Sequence, residues 1–504
     1  MRYTVALVLV LLLAAGLRVF HLSTVPTELI VDELDLYNSV SAIVSTGHDV
    51  DGTLKPFLWS QFTRNPPLYG VAGYASSLVF GKTPFGLRFP AALFGVAAVL
   101  CLYGLGYELT RRRDVALLAA LFAAVQPIFV QFSRVAWEPS SELPFLLGGL
   151  YVLARTIRRA GEPGMRPFGG FVLSAALLSI ACYTYMAAWF YALLLAGGLV
   201  LLNAKRLAEI KALLPLTAAA IIGVLIALPA LQMIFLDPST AGKSQRIATF
   251  AGGVSLQTLG VFARNYIAHF DLSYLVTTGD PQPGSTWRYL NGFGAFSWWI
   301  VPLALSGLIA LGGYVKDWRL RLWLIVWLLA YPLGGALTND GVPNAPRTLA
   351  GAPVFCLLAA IGSAIFLDWR RRWAGAALAI AVAVSTLQFS AFYFTRYVHR
   401  NSNAWDSGTA AMFAAVRARE KTYDRVCFSV WPAWYGIDTY VRFYLGNGMP
   451  TYTNIDDPAC FRPRTLIVTD NDHHLKREGF RAIATIRDVN NAPFAILSAR
   501  TAAD

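Results

Sequence analysis

The sequence predicts a mainly α-helical protein, a polytopic transmembrane bundle with a small α/β unit at its C-terminal end. Three observations carry that expectation. The chain of 504 residues is 56% hydrophobic and only 14% charged, where soluble domains average about 25% charged residues. Its mean hydropathy is +0.50. Long apolar runs recur along most of its length, each near the roughly 20 residues that an α-helix needs to cross a bilayer. These features exclude a soluble enzyme, a disordered chain and a disulfide scaffold.

The first apolar run, Val5 to Phe20, follows Arg2. Ala14-Ala15-Gly16 leads into Leu17 and Arg18 without a cleavage pattern, so the run reads as an uncleaved first span. Ten further spans are expected at 87–109, 115–132, 140–157, 168–184, 187–203, 212–236, 296–315, 320–338, 347–367 and 373–394. The short connections alternate in charge. Arg111 to Arg113 form one basic turn; Arg155, Arg158, Arg159 and Arg166 form another. Lys205, Arg206 and Lys211 follow, then Lys316, Arg319 and Arg321, then Arg370 to Arg372. Eleven spans put all five clusters on the side of Arg2, and the positive-inside rule makes that side cytoplasmic. The same rule explains the net charge of +13 without nucleic acid as a partner. The expected location is the bacterial inner membrane, with the C-terminal part periplasmic.

Three segments then face outward: 23–86, 237–295 and the part after 394. The division is 1–394 for the membrane domain and 395–504 for the C-terminal unit. That unit reads as helix at 410–421 and strands at 425–431, 465–469, 481–487 and 493–498, long enough to bury a core of its own. Cys101, Cys182 and Cys356 lie in apolar runs. Cys427 and Cys460 lie in the polar C-terminal unit, where an oxidising compartment leaves a disulfide open.

Chemistry is expected at the outer face. Asp32, Glu33 and Asp35 follow the first span, and Leu34, Tyr37, Val40, Ile43 and Val44 give residues 33–46 an apolar stripe suited to an interfacial helix. The alternative for these acids is a cap on that helix, with Asp32 as its N-cap. Arg64-Asn65-Pro66-Pro67-Leu68-Tyr69 starts a second helix-like segment, since a Pro pair suits a helix start. Arg134 and Glu138 sit in a short outer turn, and Arg347 opens a late span in Asn344-Ala345-Pro346-Arg347. Cations are scarce on that side, so each calls for an anionic partner; a guanidinium matches phosphate bidentately. An Arg134–Glu138 pair at i, i+4 and lipid headgroups for Arg347 are the plain alternatives. The 237–295 loop adds Lys243, Arg246, Arg264, His269, Asp271, Asp280 and Arg288. His269 lacks metal-like partner spacing and reads best as a satisfied interface histidine. His473-His474 has no evident ligand set either. No nucleotide loop, zincin motif or nucleophile elbow is present in the sequence.

At these residues the chain resembles a GT-C glycosyltransferase of the protein O-mannosyltransferase and lipid A aminoarabinose transferase family (glycosyltransferase family 39-like). The likeness rests on Asp32-Glu33, Pro66-Pro67-Leu68-Tyr69, Gly86-Leu87-Arg88-Phe89-Pro90, Ser133-Arg134-x-x-x-Glu138 and Asn344-x-Pro-Arg347. It covers residues 1–160 well and the later spans loosely. The resemblance implies a cell-envelope enzyme that moves a sugar from a polyprenyl-phosphate donor to a lipid, glycan or protein acceptor, with inversion. It implies Asp32 as general base, with Glu138 as a second catalytic acid residue that orients acceptor or sugar. Arg347, Arg134 and Arg64 are the implied phosphate ligands; Glu33, Tyr69, Arg88 and His269 are further substrate-binding candidates. The chain departs from aminoarabinose transferases in carrying Asn65 where they have Lys, and Glu138 stands where Asp is common. Some relatives use a divalent cation, so Asp32 and Glu33 as metal ligands remain open. The competing class is a transporter or flippase of a lipid-linked substrate, which calls for charges deep within spans; these spans carry almost none.

Overall fold

The computed structural model describes residues 2–52, 66–236, 248–279, 290, 292–339, 341–430, 436–446, 450–470 and 479–500. The fold is mainly helical. It runs through α1 (Arg2–Val19), α2 (Val31–Thr46), α3 (Leu68–Phe80), α4 (Pro84–Thr110), α5 (Arg113–Val125), α6 (Pro127–Gln131), α7 (Glu142–Arg159), α8 (Phe168–Ala181), α9 (Met186–Leu202), α10 (Ala204–Glu209) and α11 (Leu213–Leu236). Five helices among the described residues are long and apolar enough to cross a membrane: Arg2–Val19, Pro84–Thr110, Leu213–Gln232, Pro353–Arg370 and Arg372–Arg400. The last two are one helical run broken at Arg370, which has non-helical dihedrals. Shorter apolar helices, among them α8, α9 and Ile300–Ile309, occupy other expected spans.

Local sequence explains the element ends near the site. The Thr83 hydroxyl accepts from the Gly86 amide at 3.0 Å, and Pro84 opens α4, as N-cap chemistry requires. Helix α2 ends at Gly47, whose φ of 75° and amide bond to the Ile43 carbonyl make a left-handed C-cap. At its other end Ile30, not Asp32, is the N-cap; Asp32 is the second helical residue. The reciprocal bond comes from Glu33, whose carboxylate accepts from the Ile30 amide at 3.0 Å, the backward half of a capping box.

The five basic turns gather at one end of the bundle. Glu108 binds both Arg111 at 3.1 Å and Arg158 at 2.6 Å. Arg206 donates to the Arg158 carbonyl. Arg112 pairs with Asp368 at 2.6 Å, and the Tyr314 hydroxyl joins the same carboxylate. The opposite end carries α2, α3, the Leu256–Ala268 helix and the C-terminal unit.

That unit holds a five-stranded mixed sheet of order β2-β1-β3-β5-β4. Its strands are β1 (Arg425–Ser429), β2 (Thr451–Tyr452), β3 (Thr465–Thr469), β4 (Phe480–Arg487) and β5 (Pro493–Arg500). Strand β1 pairs in parallel with β2 and β3, and β5 pairs antiparallel with β3 and β4. Cys427 on β1 is disulfide-bonded to Cys460, with Cα atoms 5.9 Å apart. The four expected strands and the helix at Thr409–Arg417 are present; β2 and the Ile437–Tyr444 helix were not expected. The sheet's apolar core is not separate. Phe413, Phe428, Tyr440 and Leu466 form one cluster with Leu34, Tyr37, Tyr69 and Leu87 of the first outer segment. Asn38 donates to the Thr439 carbonyl at 2.7 Å, and the Lys82 ammonium lies 4.4 Å from the Phe443 ring centre.

Candidate active site

The first outer segment is fixed by a buried ion pair. Glu33 and Arg88 are both fully buried and meet as a fork, Nε to Oε1 at 2.8 Å and Nη2 to Oε2 at 3.0 Å. The Glu33 carboxylate also accepts the Ile30 amide and, at 2.8 Å, the Ala136 amide. Arg88 donates further to the carbonyls of Pro26 and Glu28. One pair thus joins α2, α4, the loop before α2 and the turn after α6. Tyr69 is buried too, with its hydroxyl on the Leu87 carbonyl at 2.9 Å.

Arg134 lies in that turn and points inward. Its guanidinium donates to the carbonyls of Leu17, Arg18 and Val25 at 2.8–2.9 Å and lies over the Phe394 ring at 5.0 Å. The Leu17 and Arg18 carbonyls are open acceptors at the end of α1, so Arg134 closes a helix terminus and ties the following loop to it through Val25.

Beyond the turn, Glu138 and Glu142 sit one helical step apart, at the starts of the 3-10 turn Glu138–Ser141 and of α7. Both are buried. The Pro66-Pro67 bend closes on the same region, because the Leu68 amide donates to the Tyr183 carbonyl at 3.1 Å. Two residues on, half-buried Tyr185 shares a hydrogen bond with Arg347 and lies in the electrostatic reach of both Glu138 and Glu142. Arg347 is half-buried, in the short helix Ala345–Thr348, and donates to the Thr338 hydroxyl at 2.6 Å. Asp32 is half-buried as well, next in sequence to the Glu33 that bonds Ala136.

The sequence-marked residues therefore fall into three groups. Glu138 and Arg347 meet around Tyr185, while Asp32 is half-buried beside the Glu33 that bonds the Ala136 amide, two residues before Glu138. Glu33, Arg88 and Tyr69 are buried with their polar groups bonded to protein, and Arg134 is buried with both terminal nitrogens so bonded. Arg64 lies outside the described residues, as do Lys243, Arg246, Asp280, Arg288, His473 and His474. His269 is fully buried. Its Nδ1 bonds the Asn265 carbonyl at 2.7 Å and its Nε2 accepts the Asn344 amide at 2.9 Å. Burial pushes its imidazole down to about 4, so the ring is neutral at physiological pH. Among the described residues no group of three His, Cys, Asp or Glu is placed to hold a metal ion.

Sequence inspection missed Glu142 and Tyr185. Glu142 opens an apolar helix, where an ionisable residue is costly and often functional; that signal was present. The Ala350 amide faces its carboxylate, yet neither oxygen has a hydrogen bond of ordinary geometry among the described residues. Tyr185 had no such signal, since an aromatic at a membrane edge is common.

Known proteins resemble this chain in one segment of sequence and in fold. Residues 64–232 match the dolichyl-phosphate-mannose-protein mannosyltransferase family. Over that segment the chain is similar to the protein mannosyltransferase family, and its fold is similar to that of GT-C glycosyltransferases. The fold likeness runs further than the family match. ArnT from Cupriavidus metallidurans in its apo state superposes with a TM-score of 0.59 at 12% identity, over 99% of this chain and 98% of that one. The same protein bound to undecaprenyl phosphate gives 0.57 at 13% identity, again over 99% and 98%. The archaeal oligosaccharyltransferase AglB from Archaeoglobus fulgidus, in complex with an inhibitory peptide and a dolichol-phosphate, gives 0.53 at 14% identity, over 94% and 70%. No curated protein matches the chain significantly by sequence. The family and its structural neighbours are glycosyltransferases that use lipid-phosphate-linked sugars.

Proposed function

We propose that the protein transfers a sugar from a polyprenyl-phosphate donor to a lipid, glycan or protein acceptor at the extracytoplasmic face of the membrane, with inversion. The observation that carries the reading is the half-buried Arg347 guanidinium, hydrogen-bonded to Tyr185 in the electrostatic reach of buried Glu138; half-buried Asp32, beside the Glu33 that bonds the Ala136 amide two residues before Glu138, is the carboxylate assigned to the same site. A displacement at an anomeric carbon with a phosphate leaving group calls for those two charges. Asp32 takes the proton of the acceptor hydroxyl or amine as its heteroatom attacks the anomeric carbon. The bond from that carbon to the phosphate oxygen breaks, and the phosphate leaves with the electron pair. It needs a fixed cation more than an acid, and Arg347 supplies one. Glu138 orients the acceptor or the sugar, and Tyr185 holds the Arg347 guanidinium toward the lipid phosphate. Arg64 remains a further candidate for that phosphate.

Glu33, Arg88, Tyr69 and Arg134 support this site as a frame rather than as ligands of the substrate, since the Glu33 carboxylate, the Arg88 guanidinium, the Tyr69 hydroxyl and both terminal nitrogens of Arg134 are bonded to protein. The same commitment of both Glu33 oxygens leaves Asp32 without its nearest co-ligand for a divalent cation. Clustering of the five basic turns supports a bundle with one cytoplasmic end and about eleven crossings. The disulfide supports a C-terminal unit, residues 395–504, in an oxidising compartment.

The test follows the donor's mass in membranes that express the protein. Wild type should convert bound polyprenyl-phosphate sugar to polyprenyl phosphate, whereas Asp32→Asn should retain the intact donor. Conversion at the wild-type rate by Asp32→Asn removes Asp32 from the reaction.

A further inference from the structure

His269 and Asn265 are bonded into the Arg347 turn across 75 and 73 residues of sequence. His269 Nδ1–H donates to the Asn265 carbonyl, and Nε2 accepts the Asn344 amide at 2.9 Å. That pattern fixes the tautomer. The Asn344 side chain accepts the Arg347 amide at 3.2 Å, capping the helix that bears Arg347. The Arg347 guanidinium donates to Thr338 Oγ1, and that hydroxyl donates to the Gly335 carbonyl at 2.9 Å. The Thr338 carbonyl in turn accepts from the Asn265 side chain at 3.2 Å. The chain of bonds returns to its start. Close packing holds it shut: a Cβ on Gly335 would overlap the His269 ring, and one on Gly334 would overlap the Arg347 carbonyl.

We infer that His269 is a positioning residue that sets the lipid-phosphate affinity of Arg347 through this closed hydrogen-bond circuit, with Asn265 as its anchor. This inference rests on Arg347 as the phosphate ligand. His269 itself is buried and both ring nitrogens are bonded, so it acts on the substrate only through the turn. The Leu256–Ala268 helix, with exposed Leu256, Leu259 and Ile267 on its far side, thereby connects the outer loop to the phosphate site.

The test measures binding of polyprenyl phosphate and of the corresponding polyprenol to the full chain in zwitterionic nanodiscs. The variants are Arg347→Ala, His269→Ala, His269→Gln and the double alanine variant. Loss of one orienting hydrogen bond is worth about 1–1.5 kcal/mol, so His269→Ala should weaken phosphate binding about tenfold and leave polyprenol binding unchanged. Gln can place an acceptor near the same point, so His269→Gln should restore most of the affinity. The double variant should bind no worse than Arg347→Ala, the signature of two residues acting as one. If Arg347→Ala binds phosphate as wild type does, the phosphate reading of Arg347 fails. If Arg347→Ala weakens binding but His269→Ala does not, or if the two losses add, the positioning role fails. Equal loss of polyprenol binding in both His269 variants also overturns it, because it would mark general unfolding of the loop.

Discussion

Replacing Glu33 by Gln probes the frame under the site with the least change in shape. Each Glu33 oxygen accepts two donors: Oε1 takes Arg88 Nε and the Ala136 amide, and Oε2 takes Arg88 Nη2 and the Ile30 amide. A Gln NH2 group can occupy neither position without facing two donors. One charge-assisted and one ordinary hydrogen bond are lost, and Arg88 stays buried without its counter-ion. The summed cost is about 3–5 kcal/mol. In thermal unfolding in nanodiscs this should lower the midpoint by about 5 °C or more. Arg88→Gln should cost a similar amount, and the double variant should cost less than the sum of the two, since contacting residues couple by about 0.5–3 kcal/mol. A Glu33→Gln midpoint within about 1 °C of wild type would refute the frame. Lost transfer at unchanged stability would instead make Glu33 a substrate ligand.

Three further outcomes are expected. Glu28 lies in the loop before α2, where burial, helped by the like charge of Asp406, raises its carboxyl from 4.5 to about 7 against the Gly408 and Ala410 amides and Arg88. The folded state then holds a proton that the unfolded state has released, so stability should fall as pH rises from about 4.5 to about 7; melting curves of Glu28→Gln should lack that slope. Cys427→Ser with Cys460→Ser opens a link across 33 residues and should destabilise the C-terminal unit by about 2–5 kcal/mol, read as faster proteolysis after residue 394; unchanged proteolysis would count against it. Glu142→Gln removes a buried carboxylate without ordinary partners and should raise stability by about 1–3 kcal/mol; a lower melting temperature would show that the charge is paired.

Periodicity and charge made much of the fold legible. The stripe from Leu34 to Val44 marked α2, and the Pro pair marked the start of α3, because both signals are local. The basic turns foretold one another's company for the same reason, being set by a rule that acts on short loops. Arg347 was legible as a cation where cations are scarce. Pairings across long separations were not. Glu33 and Arg88 are 55 residues apart, and nothing in either neighbourhood says that they cancel. Arg134 looked like a free cation because the carbonyls it caps carry no side-chain signature. The Ile437–Tyr444 helix was readable, since Ile437, Tyr440, Val441 and Tyr444 repeat at helical spacing. The shared core of the C-terminal unit was not, because an apolar residue does not say which neighbour covers it. His269 looked satisfied and is, but only the fold shows that it is satisfied by the turn that bears Arg347.

The most direct test is native mass spectrometry of the protein extracted from its own membrane, as wild type, Asp32→Asn and Arg347→Ala. Wild type and Asp32→Asn should carry polyprenyl phosphate, with the sugar still attached in Asp32→Asn, and Arg347→Ala should carry neither. No lipid phosphate on wild type after addition of synthetic polyprenyl phosphate, or full retention by Arg347→Ala, would contradict a lipid-phosphate site built on Arg347.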